Sequence, residues 1–291
     1  FEADACIVDK HPGYAITEMG KNYAAENAIP LVEVQHHEAH FAAVLAENNL
    51  LETEETVLGV IWDGTGYGSD GNIWGSEFFT YVNNRMKHFA QLNYFSILMG
   101  DKMAREPRLS ALSLFDSDND AVNLLREKFT SAEWSHFRNQ LHINLQPVYT
   151  SSMGRFLDGI ASLLGIADTV SYEGEAAMKL EALALQCKHP GTETYEFSLS
   201  GNKIDWQKMT GQLISDLKQQ MPKENIAYKV HLSLAYLVEQ MAMNAGVKKI
   251  AFSGGVMQNA LLVDLLTDRL KENYELFFHQ QLSPNDECIS F

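Results

Sequence analysis

Two histidines four residues apart, His36 and His40 in the run Gln35-His36-His37-Glu38-Ala39-His40, place two imidazoles on one face of a helix. That spacing suits a divalent metal. Farther on, the apolar run Val57-Leu58-Gly59-Val60-Ile61-Trp62 empties into Asp63-Gly64-Thr65-Gly66-Tyr67-Gly68. A strand that delivers a carboxylate, followed by glycines that let backbone N–H groups approach closely, can hold a metal and a phosphate side by side. The two groupings together read as a nucleotide site with a metal.

His37 lies about 100° round the helix from His36 and reads as a bystander or a donor on the substrate side. A zinc-protease motif fails, because His37-Glu38 would need a histidine at position 41 and that residue is Phe41. A second glycine cradle follows the expected strand Lys249-Ile250-Ala251-Phe252, where Ser253-Gly254-Gly255-Val256 leads into a helical pattern. Backbone amides at such a helix start oppose anionic charge. Two glycine turns on two lobes facing one cleft are the plan of the actin-like and sugar-kinase ATPases. The expected fold is therefore α/β, a two-lobed actin-like ATPase with nucleotide and metal in the interlobe cleft.

The elements that must position these residues are legible in part. Ala5 to Val8 reads as a buried strand, Gly20 to Ala28 as a helix, Ile29 to Val34 as a second strand, and His36 to about Asn48 as a helix. Val57 to Trp62 pairs with Ile73 to Val82 across the glycine-rich turn. Helical patterns follow from Lys102 to Leu114, Ser151 to Gly165 and Gly174 to Gln186. Tyr195 to Ile204 is a hairpin turning at Ser200-Gly201-Asn202, and Ile226 to Ala245 is a long helix ended near Gly246. Gln258 to Asn273 is helical, and Glu275 to Phe278 is a last strand leading into Ser283-Pro284-Asn285-Asp286. The division expected is a first lobe over residues 1–100 and a second over 101–291.

The chain has 291 residues, 46% of them hydrophobic, enough for a large core and for two lobes. A net charge of −16 argues against a nucleic-acid partner as the default. Cys6, Cys187 and Cys288 are odd in number and widely spaced, which suggests neither a disulfide framework nor a zinc ribbon and points to a reducing, cytoplasmic setting. No apolar stretch approaches the roughly 20 residues of a membrane span, and Phe1-Glu2-Ala3-Asp4 is no signal peptide. The missing start methionine and the stop at Ile289-Ser290-Phe291 suggest a fragment truncated at its C-terminus.

Five segments occur in one order: V-Q-H-H-E-A-H, D-G-T-G-Y-G-S-D-G-N-I-W-G-S-E-F, M-A-R-E-P, Y-E-G-E-A-A-M-K-L-E and F-S-G-G-V-M-Q-N-A-L-L. Over essentially the whole chain they resemble the C-terminal carbamoyl-transfer domain of the HypF family, which matures nickel-iron hydrogenases. The resemblance implies an actin-like ATPase fold that binds carbamoyl adenylate at a metal site and passes the carbamoyl group to the C-terminal cysteine of a HypE-type partner. It also implies upstream domains in the parent polypeptide: an acylphosphatase-like domain, zinc fingers and a carbamoyl-adenylate-forming domain.

Carried over by motif, His36 and His40 match the metal-binding histidines, Asp63 the aspartate at the phosphate turn, and Asp286 the late aspartate that closes the site. Two neutral imidazoles with one or two carboxylates make an open site for zinc or ferrous iron, with magnesium a further candidate. Gly64, Thr65, Gly66, Ser253, Gly254 and Gly255 are the expected phosphate contacts, while Asp158, Gly174 and Asn259 match positions that hold the ribose and base of the ATP or AMP moiety. Arg105 and Glu106 are candidates to orient the carbamoyl group, against the alternative of a salt bridge at a helix start. Two departures stand out. Lys179 occupies the place of a ribose-binding glutamate, so either Glu181 substitutes or adenosine binding is weaker, and Asn285-Asp286-Glu287-Cys288 replaces the family's Asn-Asp-Gly-Gly.

The mechanism so implied is acyl transfer from a mixed anhydride, with no nucleophile from this chain. Competing readings are a tRNA threonylcarbamoyl transferase-like enzyme, against which the acidic charge speaks, and a non-catalytic actin-like nucleotide sensor.

Overall fold

The computed structural model describes residues 3–143 and 147–289. Strand β1 (Cys6–Asp9), helix α1 (Ala15–Asn27) and strand β2 (Leu31–Val34) form a small unit in which the two strands pair in parallel. Helix α1 begins earlier than its pattern suggested, and Gly20 lies against β1, where a Cβ would stand 2.4 Å from Val8 Cγ1. Helix α2 (His36–Glu47) follows, capped by Gln35, whose side chain accepts from the Glu38 N–H.

Strands β3 (Val57–Tyr67), β4 (Ile73–Val82), β5 (Arg85–Leu92), β6 (Phe95–Ser96) and β7 (Tyr149–Thr150) enclose helices α3 (Lys102–Arg105), α4 (Pro107–Phe115), α5 (Asn119–Arg126) and α6 (Ser131–Ile143) in chain order. After them come α7 (Met153–Leu163), α8 (Glu175–Ala184), β8 (Ser198–Ser200), β9 (Lys203–Asp205), α9 (Gln207–Lys218), α10 (Lys223–Ala245), β10 (Lys249–Ser253), α11 (Ala260–Leu270) and β11 (Glu275–Phe277). The central sheet runs β11-β10-β3-β4-β5-β9-β8, with β10 parallel to β3 and β4 antiparallel to it. Strand β5 and helices α5, α6 and α9 carry no clear sequence signal. In β5, for instance, only the last three residues are buried, so there is no apolar alternation to read.

The continuous apolar run of β3 follows from burial on both faces. Leu58, Val60 and Trp62 enter the large core with Phe156, Ile160, Val230 and Leu234 of α7 and α10, while Val57 and Ile61 pack with Phe41, Val44 and Leu45 of α2. Gly59 lies directly under α2, where a Cβ would stand 2.8 Å from the Phe41 ring. That close approach sets α2 across β3 with His36 and His40 at the strand's carboxyl end.

The Asp-Gly-Thr-Gly segment is not a turn. Strand β3 continues through it to Tyr67, with its pairing to β4 irregular between Trp62 and Gly66, and the chain reverses only at Gly68 to Asn72, where the Gly68 N–H donates to the Asn72 carbonyl. A bulge re-aims side chains without ending the strand, and here it carries Asp63 toward α2. The residue-100 division also does not follow the sheets, because β3 before it pairs with β10 far beyond it. The parallel pairing of β3 with β10 brings the two glycine segments together.

Candidate metal and nucleotide site

Four side chains converge at the carboxyl ends of β3 and β10. His36 Nε2 lies 3.2 Å from Asp63 Oδ2 and 3.6 Å from Asp286 Oδ1, and His40 Nε2 lies 3.6 Å and 3.4 Å from the same two oxygens. One ligand atom from each of the four falls within 4.8 Å of all the others. The helix supplies the histidines, the bulge supplies Asp63, and Asp286 heads a short 3-10 turn, Asp286–Cys288. Its side chain is 69% exposed, so the cluster is closed at the back and open toward solvent at Asp286.

Electrostatics follow from this geometry. Burial opposes charge on His36, but Asp286, Asp63 and Asp9 outweigh it and push its pKa up to about 12. His40 is likewise opposed by burial and raised by Asp286 and Asp63, to about 10. The same pairs outweigh the burial of Asp63 and hold its carboxyl well below the usual range, and the two histidines hold Asp286 there too. Among the described residues, fully buried His40 Nε2 has no hydrogen-bond partner despite the carboxylates near it. An orphaned imidazole nitrogen facing two carboxylates, with a second imidazole beside it, is the donor set of a divalent metal. Zinc and ferrous iron both fit it.

Contacts behind the two histidines support the cluster. His36 Nδ1 lies 3.2 Å from Asp9 Oδ2, and the carboxylate can only accept, so Nδ1 carries the proton and Nε2 faces the cluster. Behind His40, Nδ1 lies 3.3 Å from both Ser253 Oγ and Cys288 Sγ. Ser253 Oγ is 2.9 Å from His279 Nε2, whose Nδ1 donates to Glu47 Oε2 at 2.6 Å. His37 is neither a ligand nor a substrate-side donor: it is fully buried beside Gln35, and burial together with His36 lowers its pKa so that it stays neutral.

Beside the cluster opens a cleft of about 570 Å³. Asp63, Gly64 and Thr65 line one side, Gly255 and Asn259 another, and Asp158 and Gly174 a third. Those are expected nucleotide contacts brought together. Three others lie elsewhere. Gly66 sits beneath the histidines, where a Cβ would stand 2.4 Å from His37 Cε1 and 2.7 Å from His36 Cδ2. Ser253 is buried behind His40. Gly254 has φ +98° and lies against β3, where a Cβ would meet the Trp62 carbonyl oxygen at 2.2 Å.

Two of the glycine amides also have a different task from the one expected. The Gly64 and Gly255 N–H groups donate to Asp63 Oδ1 at 2.8 and 3.1 Å, so in this structure they aim the carboxylate. Asn259 caps α11 by accepting from the Leu262 N–H, while its amide nitrogen lies 3.0 Å from His231 Nε2.

Arg105 and Glu106 do not line the cleft. Glu106 is taken up by ion pairs with Arg108 at 2.9 Å and Lys102 at 3.2 Å, the helix-start alternative. Lys179 also faces away, pairing with Glu175 at 2.6 Å, while Ala177, Met178 and Glu181 of the same helix line the cleft. A residue two before Glu181 lies about 200° round the helix from it, so Lys179 cannot stand in the ribose-binding position.

The comparisons with known proteins agree with this geometry. A family model described as "Carbamoyltransferase, Kae1-like Domain, second subdomain" matches residues 59–291, and one described as "HypF Kae1-like domain" matches residues 1–47. The chain belongs to the HypF carbamoyltransferase family. The carbamoyltransferase HypF of Synechocystis sp. is 34% identical over 312 residues, covering 99% of this chain and 39% of that protein. The crystal structure of full-length HypF in its phosphate- and nucleotide-bound form superimposes with a TM-score of 0.86 at 31% identity, over 99% of this chain and 45% of that one. The T. kodakarensis HypF structure gives a TM-score of 0.87 at 31% identity, over 98% and 39%. The chain thus spans about two-fifths of the Synechocystis relative's length. The expected α/β fold of the actin-like ATPases, here the Kae1-like domain of HypF, is the fold observed. Among the described residues no helix is long and apolar enough to cross a membrane.

Proposed function

We propose that the chain transfers a carbamoyl group from carbamoyl adenylate to the C-terminal cysteine of a HypE-type partner during nickel-iron hydrogenase maturation. The observation that carries this reading is the convergence of His36, His40, Asp63 and Asp286 at the edge of a cleft of nucleotide size, in a member of a carbamoyltransferase family. His36, His40, Asp63 and Asp286 would hold a divalent metal, zinc or iron, which supplies Lewis acidity toward a phosphoryl or acyl oxygen.

The chain's own residues do the positioning. Asp63, aimed by the Gly64 and Gly255 amides, fixes the boundary between metal cluster and cleft. Asp158, Gly174 and Glu181 line the same cleft, and on this reading they take the adenosine end. The acceptor thiol enters from solvent as a thiolate, its proton already lost to water. Its sulfur forms a bond to the carbamoyl carbon, the bond from that carbon to the bridging phosphate oxygen breaks, and AMP leaves with the electron pair. Cys288 is fully buried behind His40, so the nucleophile is supplied by the partner. Three free cysteines support a reducing, cytoplasmic setting for this chemistry.

The test is mass spectrometry of the partner's C-terminal peptide after incubation with the metal-loaded chain and preformed carbamoyl adenylate. A thiocarboxamide on the terminal cysteine is expected. Its absence, with nucleotide still bound, would favour the sensor reading.

A further inference from the structure

The buried arginine at the start of α7 is not used by the chemistry above. Ser152 caps α7 by accepting from the Arg155 N–H and donates its hydroxyl to the Gly64 carbonyl, so the helix start is tied to the bulge. The Arg155 side chain is 3% exposed, and among the described residues its Nε and Nη1 have no hydrogen-bond partner. Asp158 Oδ2 is 3.0 Å from Nε, but at an angle that makes no hydrogen bond. Nη2 reaches only Glu173 Oε1, at 3.5 Å. A guanidinium stays charged in proteins, and burying one with unsatisfied N–H groups is costly unless an anion is meant to meet it.

The place of that anion is marked. Arg155 and Glu173 line the same cleft as Gly64, Thr65 and Gly255. A Cβ built on Gly64 would stand 2.9 Å from Glu173 Oε1 and 3.9 Å from Arg155 Nη2, so the Glu173 carboxylate lies over the glycine bulge within reach of the arginine. The Glu173 side chain is 65% exposed, and so can swing away.

We propose that Arg155 is the anion anchor of the cleft, binding the phosphate of a nucleoside monophosphate ester, and that Glu173 is a placeholder carboxylate which the phosphate displaces. With Glu173 displaced from Nη2, the Nη1 and Nη2 N–H groups present a planar fork that matches two phosphate oxygens. The inference rests on the nucleotide reading of the cleft within the proposed function, and not on which group is transferred.

Calorimetric titration of the full chain with AMP and with adenosine tests it, in wild type, R155Q, R155K and E173Q. Wild type binds AMP more tightly than adenosine by about tenfold or more, the scale of charge-assisted phosphate bonds. R155Q removes that preference and leaves adenosine affinity in place, R155K retains part of it, and E173Q tightens AMP severalfold without changing adenosine. An unchanged AMP-to-adenosine ratio in R155Q overturns the proposal, as does weaker AMP binding by E173Q. Should R155Q fail to fold, R155K and E173Q decide: a wild-type ratio in both overturns it equally. Phosphate preference lost in R155Q with no thiocarboxamide formed by wild type would sink only the transfer reading, whereas transfer with the ratio unaltered in R155Q would sink only this one.

Discussion

Asp9 Oδ2 lies 3.2 Å from His36 Nδ1, on the ring edge opposite Asp63 and Asp286. The carboxylate is itself fixed, since Asp9 Oδ1 accepts the His11 N–H at 2.6 Å. The end of β1 therefore fixes the tautomer and orientation of one histidine of the cluster, and the small unit before α2 is part of the candidate site. His40 is oriented differently, by the Ser253 hydroxyl and the Cys288 sulfur.

Asp9→Asn leaves a single accepting oxygen for which the His11 N–H and the His36 Nδ1–H must compete, so the hold on the His36 tautomer is lost. It is expected to weaken zinc or ferrous-iron binding by about 10- to 100-fold with the melting temperature little changed. Competition with a chelator of known affinity measures this, and wild-type affinity in the variant would show that Asp9 does not orient His36.

Metal binding should release protons. The metal-free histidines have pKa values raised from 6.5 to about 12 for His36 and about 10 for His40, so both are imidazolium at neutral pH. A metal takes the Nε2 lone pairs and displaces those protons, so affinity must rise with pH. Calorimetry in buffers of different ionisation enthalpy should give close to two protons released per metal near pH 7. Binding that releases none would place the metal elsewhere.

Glu47 ties the segment after β11 to α2. Its Oε1 accepts the N–H groups of Gln280, Gln281 and Leu282, and its Oε2 accepts from His279 Nδ1. Burial would raise its pKa, but these bonds lower it from 4.5 to about 2. The stabilisation is complete above the unfolded-state value and is lost as pH falls from there through the folded one. Glu47→Gln should cost about 1–3 kcal/mol at neutral pH and flatten the loss of stability between pH 4.5 and 2. Denaturant titrations at pH 7 and pH 3 compare the two proteins, and an equal acid dependence would remove Glu47 from this role.

Gly66→Ala tests the steric reading of that glycine. Its new Cβ would meet His37 Cε1 at 2.4 Å and His36 Cδ2 at 2.7 Å in a buried site. Displaced rings should cost about 1–3 kcal/mol and lower metal stoichiometry. A variant that binds metal normally but loses AMP would restore Gly66 to the nucleotide.

Local pattern was enough for much of this. The spacing of His36 and His40 on a capped helix, the apolar run before Asp63, the Gly246 stop of α10 and the order of five motifs could all be read along the chain, because helix and strand periodicities are set within a few residues. So could Asp286 as a member of the cluster, through its motif. Position in space was another matter. Whether a glycine follows a turn, sits in a bulge or lies under a ring depends on what packs against it, so Gly64 and Gly255 proved to aim Asp63, Gly66 to seat two histidines and Gly254 to admit β3. Arg105 and Glu106 were the candidates the sequence motif offered, yet Arg155, which no motif marked, lies in the cleft and they do not. The parallel pairing of β3 with β10 decided these outcomes, because it joins segments nearly two hundred residues apart and no local pattern encodes which side chains then meet.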